Sequence, residues 1–173
     1  MKNTGFSLLA ALAFLPFSVA AGTIPIQLVN QDGVGDVIGN VKVSVAKEGG
    51  LVFTPNIHRL SPGLHGFHIH QNPSCLAQIK NGHVVAGLAA GGHYDPHHVK
   101  AHGTPWGEGH LGDLPALYVD KNGYAMQALH APKLTMADLK GRSIMIHANG
   151  DNHSDIPKKL GGGGARVACG VIQ

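Results

Sequence analysis

Glycine and proline are spread along the whole chain, and this feature most restricts the folds open to it. The sequence has 25 Gly and 10 Pro among 173 residues, so long uninterrupted helices have little room. The apolar runs between these residues are short and rich in β-branched side chains, which favours strands. Only residues 135–141, TMADLKG, predict a helix, of about one turn.

About eight strands are predicted, separated by turns at short intervals. Alternating or continuous apolar runs lie at 23–29, 37–46, 50–55, 66–70, 114–120, 125–131, 143–148 and 165–172, and 83–87 is a further candidate. The segments KEGG and KNGY between such runs are typical of hairpin turns. The pattern therefore predicts an all-β fold, an antiparallel sandwich or barrel. Residues 71–113 and 149–164 interrupt it as two long loops, a length that indicates function or disorder.

An apolar segment precedes the first predicted strand. It carries one early charge, Lys2, then an apolar run to about Leu15 and small residues at Ala20 and Ala21. The run is too short to span a bilayer, and its end suits a signal peptidase. We therefore expect residues 1–21 to be a secretory signal peptide rather than an N-terminal core helix. Residues 22–173 then form one domain.

Charge and hydropathy exclude two classes of partner. The chain has 13 Lys and Arg against 10 Asp and Glu, which gives a nucleic-acid role no electrostatic support. After the signal peptide no segment is apolar enough to predict a membrane span.

The chain has two cysteines, Cys75 and Cys169. Export implies an oxidising compartment, where two cysteines usually form one disulfide. The alternative is a pair of metal-bound thiolates.

Histidine is unusually frequent, with 13 in the chain. In the predicted strand GFHIH, His68 and His70 share one face while Phe67 and Ile69 point to the core. Two imidazoles side by side can hold one metal ion, although a histidine-rich chain also produces such a pair by chance. His147 lies on the strand 143–148 and, by the same alternation, points away from the core.

The first long loop supplies four further ligand candidates: His93, His102, His110 and Asp113. Three imidazoles and one carboxylate suit Zn²⁺ in a closed tetrahedral site. The glycines around them allow the backbone to approach a metal centre closely. The alternative is an ordinary solvated polar loop.

Six motifs in order resemble the copper/zinc superoxide dismutases, specifically the periplasmic bacterial branch. They are GFHIH, GGHYDP, KAHGTP, GHLGDLPAL, IMIHANGDN and GGGGARVACGVI. The resemblance covers almost everything after residue 21. It implies an eight-stranded antiparallel Greek-key β-barrel, sandwich-like, with two long functional loops. It also implies a periplasmic enzyme that disproportionates two superoxide anions to O₂ and H₂O₂ at copper.

The resemblance implies a role for each matching residue. Copper would be bound by His68, His70, His93 and His147. Zinc, which is structural, would be bound by His93, His102, His110 and Asp113. By the resemblance, His93 would bridge the two ions and exchange a proton on its copper side, and Asp151 would link a copper histidine to a zinc histidine. Arg166 would be the arginine of the substrate channel, and Cys75 and Cys169 would form the family's disulfide.

Other residues carry expectations of their own. Lys158 and Lys159 either extend the attraction for superoxide or belong to a solubilising loop. Trp106, the only tryptophan, is expected to be covered, either by packing within its loop or as the anchor of a homodimer. We expect His65 to support His68 through a hydrogen bond.

The remaining histidines allow an accessory site for haem or metal, with His58 or the pair His97 and His98 as candidates. Two other functions compete with the dismutase. A periplasmic metal-delivery protein would also use many histidines, but it needs neither Asp151 nor Arg166. A zinc hydrolase fits poorly, because the second ligand group leaves no open coordination position.

Overall fold

The computed structural model describes residues 22–173, so the predicted signal peptide lies outside the described residues. The elements, in chain order, are β1 (Thr23–Asn30), β2 (Gly33–Val45), β3 (Leu51–Ile57), β4 (Gly63–His65), β5 (Phe67–His70), β6 (Gln78–Lys80), β7 (His83–Val85), β8 (Leu117–Val119), β9 (Leu129–Ala131), α1 (Met136–Leu139), β10 (Arg142–His147) and β11 (Arg166–Ile172). Within these residues, no helix has the length and apolar character to cross a membrane.

Seven strands form one continuous antiparallel sheet, in the order β5-β10-β11-β1-β2-β3-β9, and β4 pairs with β8. The predicted all-β barrel and its antiparallel pairing are confirmed. The described residues contain more strands than predicted, because β4 and β6 are three residues each and too short to show a period. The predicted strand 83–87 is β7, which pairs with β6 in a hairpin inside the first long loop.

Strand β5 separates the core from the histidine cluster. Phe67 and Ile69 are fully buried, and the ring of Phe67 meets that of Phe53 edge-on with centroids 6.0 Å apart. His68 and His70 point to the opposite face, as the alternation predicts. They are nevertheless also fully buried, so something covers that face.

The cover is the first long loop, which docks on the backbone of β5. The Tyr94 amide donates to the Ile69 carbonyl at 2.8 Å, and the Ile69 amide donates to the Gly112 carbonyl at 2.9 Å. Only glycine fits at position 112, because a Cβ there would collide with the Ile69 carbonyl oxygen. This close approach brings the loop histidines against the strand histidines.

The disulfide fastens the start of this loop to the sheet. Cys75 and Cys169 are bonded, with Cα atoms 5.7 Å apart and a sequence separation of 94. Both are buried in a small apolar cluster with Met145. The predicted disulfide is confirmed, and the thiolate alternative is wrong.

Candidate metal centre

Four buried histidines from three different segments meet on the outer face of the sheet. Each leaves one ring nitrogen buried without a hydrogen-bond partner: His68 Nδ1, His70 Nε2, His93 Nε2 and His147 Nε2. One nitrogen of each of the four lies within 4.8 Å of the others. Buried polar atoms without partners are costly, so this convergence fits a cation that accepts four imidazole ligands. We refer to these four residues as the histidine set.

The opposite ring nitrogen of each member is held by an acceptor. His68 Nε2 donates to Asp151 Oδ2 at 2.7 Å, and His70 Nδ1 donates to the Gly91 carbonyl at 3.0 Å. His147 Nδ1 donates to the Gly164 carbonyl at 3.2 Å. These bonds fix which nitrogen carries the hydrogen, so the unpartnered nitrogen of each ring carries a lone pair directed at the centre.

Burial keeps these rings neutral. It holds the pKa of His68 and His70 well below the usual histidine value, and the nearby His93 lowers both further. Burial also lowers the pKa of His147 to about 4. Neutral imidazole is the form that binds metals, so the histidine set is ready for a metal near neutral pH.

A second group of nitrogens surrounds one carboxylate oxygen, Asp113 Oδ1. His93 Nδ1 lies 2.8 Å from it, His102 Nδ1 3.0 Å and His110 Nδ1 3.2 Å. We call these four residues the aspartate set. The other oxygen, Asp113 Oδ2, accepts hydrogen bonds from the amides of Gly103 and His110 at 2.9 and 3.0 Å, which fixes the carboxylate. Three imidazoles around one carboxylate form a closed tetrahedral donor set of the kind that holds Zn²⁺.

The aspartate set is more highly charged than the histidine set. Burial alone would raise the pKa of Asp113, but hydrogen bonds from the three histidines outweigh burial and hold that pKa far below its usual range. Burial lowers the pKa of His102, yet the carboxylates of Asp113 and Asp151 outweigh it and raise the pKa to about 9. A divalent cation here would therefore replace protons that the carboxylates now attract.

His93 belongs to both sets. Its Nε2 is one of the unpartnered nitrogens of the histidine set, and its Nδ1 faces Asp113 Oδ1. Its ring also stacks on that of His68, with centroids 3.9 Å apart, and a ligand atom of His68 lies within 4.8 Å of those of His93, His102 and Asp113. A single imidazole thus lies between two possible metal positions.

Asp151 joins the two sets from the other side. Its Oδ2 accepts from His68 Nε2 and its Oδ1 accepts from His102 Nε2 at 2.8 Å. Burial raises the pKa of Asp151, but these two hydrogen bonds dominate and lower it well below the usual range. Asp151, on the second long loop, therefore orients one histidine of each set. It links the two histidines in the way that the sequence predicted.

Arg166 is anchored to the first long loop beside the histidine set. Its Nη1 and Nη2 donate to the carbonyls of Gly87 and Gly91 at 2.5 and 2.6 Å. The Gly91 carbonyl also accepts from His70 Nδ1, so the guanidinium and a histidine of the set share one acceptor. Burial lowers the pKa of Arg166.

Other predicted residues lie outside these groups. Lys158 and Lys159 are exposed on the second long loop. His58 and the pair His97 and His98 occur in none of the ligand groups found among residues 22–173. Trp106 is 64% exposed, so the expectation that it packs within its loop is wrong.

His65 has a different partner from the one we predicted. Its Nδ1 donates to the His147 carbonyl at 2.7 Å, and its Nε2 lies 2.8 Å from the Ser61 carbonyl. His65 therefore fastens the backbone of another member of the histidine set rather than the ring of His68. The three-residue spacing did not show this, because the contact crosses from β4 to β10.

Sequence reasoning missed two residues that support the aspartate set. Asp155 Oδ2 accepts from the His102 amide at 2.9 Å, and Asp155 Oδ1 accepts from the Leu160 amide at 2.9 Å. Gly161 lies against the hydrogen bond between Asp151 and His102, where a Cβ would overlap both side chains. The GGGG run at 161–164 was the signal that could have indicated a close approach here.

Comparisons with known proteins agree with this geometry. The family model "Copper/zinc superoxide dismutase (SODC)" matches residues 37–172. A superoxide dismutase [Cu-Zn] of Photobacterium leiognathi is 55% identical and aligns over the full length of both chains. The Cu/Zn superoxide dismutase structure from Brucella abortus has a TM-score of 0.86 at 48% identity, covering 88% of this chain and 99% of that one. A structure from Salmonella enterica, described as a monomeric copper, zinc superoxide dismutase, has a TM-score of 0.80 at 50% identity, covering 89% and 100%. This chain belongs to the copper/zinc superoxide dismutase family.

Proposed function

We propose that this protein is a superoxide dismutase, which disproportionates two superoxide anions to O₂ and H₂O₂. The observation that carries the proposal is the double position of His93, between four converging imidazoles and a carboxylate-centred zinc-type set. A metal-delivery protein gains nothing from two sets that share one ring. Membership of the family supports the same activity.

The two donor sets suit different ions, one of each per subunit. We assign copper to the histidine set, because four imidazoles accommodate a transition metal in two oxidation states. We assign zinc to the aspartate set, because three imidazoles with one carboxylate leave no open position. When bound, copper would supply the one-electron oxidation and reduction that disproportionation requires, which zinc cannot.

The chain's own residues would handle the proton and the orientation of the ligands. His93 Nε2 is a position where a proton can be held and handed to the reduced substrate, while Nδ1 stays in the aspartate set. Asp151 keeps the hydrogens of His68 and His102 on their outer nitrogens, which leaves their inner lone pairs free.

Arg166 is our candidate for the residue that docks the anionic substrate. Its charge lies beside the histidine set and is aimed by two backbone carbonyls. Lys158 and Lys159, exposed on the second loop, would attract superoxide from farther away.

Arg166→Glu should lower the second-order rate of dismutation by about tenfold or more at low salt, because a repulsive charge replaces the docking charge. Arg166→Lys should retain most of the rate, and both variants should hold both metals. Changing Lys158 and Lys159 together to Glu should have a smaller effect that disappears at high salt. The measurement is the rate by pulse radiolysis at several ionic strengths. An unchanged rate in Arg166→Glu would remove this residue from the mechanism.

The activity is tested directly with the purified protein. We expect one copper and one zinc per chain after reconstitution, together with dismutation in a superoxide assay. One unit of each metal without dismutation would favour a metal carrier. Zinc alone, with hydrolysis of ester or amide substrates, would favour a hydrolase.

The site of action that we propose is the periplasm. The apolar run and small residues of segment 1–21 support a cleaved signal peptide, followed by the dismutase domain at 22–173. The buried disulfide between Cys75 and Cys169 supports an oxidising compartment.

A homodimer anchored by Trp106 remains a prediction, supported by the 64% exposure of this large aromatic side chain. Trp106→Glu should shift the protein from dimer to monomer without loss of either metal, as measured by sedimentation velocity at micromolar concentration. A monomer in the unchanged protein would contradict the prediction, and the Salmonella enterica relative is described as monomeric.

Haem binding at His58 is supported by nothing in the described residues. The ring of His58 lies beside that of Tyr124, with centroids 6.3 Å apart. His58 belongs to none of the ligand groups among residues 22–173.

A further inference from the structure

A third group of potential ligands lies on the outer side of the aspartate set. His102, Asp151 and His153 each bring one ligand atom within 4.8 Å of the others. Asp151 Oδ1 is 2.8 Å from His102 Nε2 and 3.9 Å from His153 Nδ1. His153 Nδ1 is buried without a hydrogen-bond partner. We call these three residues the outer triad.

The spacing between Asp151 and His153 suits a shared ion better than a hydrogen bond. The 3.9 Å between His153 Nδ1 and Asp151 Oδ1 is too long for a hydrogen bond. Two ligands about 2.1 Å from one tetrahedral zinc lie about 3.4 Å apart, so a small side-chain movement would let both contact the same ion. Two imidazoles and a carboxylate are also ligands that zinc accepts.

The outer triad reaches solvent more than the aspartate set does, where the most exposed side chain is that of His110, at 10%. The side chains of His102, Asp113 and Asp151 are completely buried, and that of His93 is 2% exposed. The His153 side chain is 20% exposed. A cation that approaches from solvent would therefore meet His153 before it reaches His102.

His102 belongs to both the outer triad and the aspartate set, but as a neutral imidazole it can serve only one of them at a time. A neutral imidazole has a hydrogen on one nitrogen and a lone pair on the other. To serve the outer triad, Nε2 must offer the lone pair while the hydrogen on Nδ1 faces Asp113 Oδ1, 3.0 Å away. To serve the aspartate set, the hydrogen must be on Nε2, where it is donated to Asp151 Oδ1.

We propose that His102, Asp151 and His153 form a transient loading site through which a divalent cation passes to the aspartate set. The arriving ion displaces the hydrogen on Nε2 to solvent and is held there while His102 keeps its hydrogen on Nδ1. It moves inward as the Nδ1 hydrogen is lost to solvent and one is regained from solvent at Nε2, so this transfer consumes no net proton. The proposal rests on the zinc assignment made above.

Position 153 permits a matched pair of variants. His153 has a φ of 56°, in the left-handed region that Asn and Asp tolerate best among residues with side chains. Its amide donates to Asp151 Oδ1 at 2.7 Å, and that backbone contact is available to any residue at 153. His153→Asn and His153→Asp are nearly the same size, but only the second supplies a strong metal ligand.

The test is the rate at which metal-free protein takes up Co²⁺, which stands in for zinc and absorbs visible light when tetrahedrally bound. We expect His153→Asn to slow uptake by about tenfold, the lower end of the cost of losing one supporting contact at a metal site. His153→Asp should stay near the wild-type rate. The final Co²⁺ spectrum and the equilibrium zinc affinity should be alike in all three proteins. As a control, His97→Asn, an exposed position on the first long loop, should leave the rate unchanged.

Three outcomes would overturn the loading site. The first is wild-type uptake in His153→Asn. The second is equal slowing in His153→Asn and His153→Asp. The third is a loss of equilibrium affinity at an unchanged rate, which would mean that His153 only positions Asp151. A wild-type protein that fails to bind one Co²⁺ tetrahedrally would instead refute the zinc assignment, so the two failures are distinguishable.

Discussion

His93→Ala should reduce the rate of dismutation by about a hundredfold or more, the scale expected when a positioned proton-transfer group is removed. The variant takes one imidazole from the histidine set and one from the aspartate set at the same time. Zinc content should fall as well, because the aspartate set keeps only three of its four ligands. The measurements are the second-order rate constant and the metal content per chain.

A spectroscopic comparison tests the shared ring itself. In the unchanged protein, adding zinc to the copper-loaded form should shift the visible copper band, because in the proposed assignment His93 would be a ligand of both ions. In His93→Ala the band should not respond to zinc. His97→Ala, a change at an exposed histidine of the same loop, should behave as wild type in both measurements. A full complement of metals with wild-type activity in His93→Ala would contradict the proposed function.

Features that repeat over two residues were predictable from the sequence. The alternation in GFHIH placed Phe67 in the core and His68 outside it. The alternation in SIMIHA did the same for Ile146 and His147. The relation between side-chain direction and position in a strand needs no knowledge of distant contacts, so these faces could be assigned from the pattern alone.

Features that depend on the paths of the two long loops were not predictable. His153 and Leu160 adopt positive φ, a conformation that is uncommon for residues other than glycine and that no sequence pattern here predicted. The carboxylate of Asp155 makes a tertiary contact, since it binds amides of both loops. The three-residue strand β4, which directs His65 to the His147 carbonyl, is likewise too short for a period to be visible.

The close approach of Gly161 to Asp151 leads to the second large expected effect. Gly161 has a φ of 67°, and a Cβ there would overlap Asp151 Oδ1 and lie 2.9 Å from His102 Nε2. Gly161→Ala must therefore push the Asp151 carboxylate away from the ring it orients. We expect zinc affinity to fall by about 10- to 100-fold, the range seen when the hydrogen-bond partner of a metal ligand is lost.

Gly162→Ala provides the matched control, because it shares the backbone cost without the collision. Gly162 has a φ of 76°, and a Cβ there would meet only Lys158 side-chain atoms at 3.7 Å or more. Both alanine variants should lose about 1–2 kcal/mol of unfolding free energy from the left-handed backbone. Only Gly161→Ala should also lose zinc in a chelator competition, since only there does the added methyl group displace a carboxylate that orients a ligand. Equal zinc affinity in the two variants would mean that Asp151 does not maintain the aspartate set through His102.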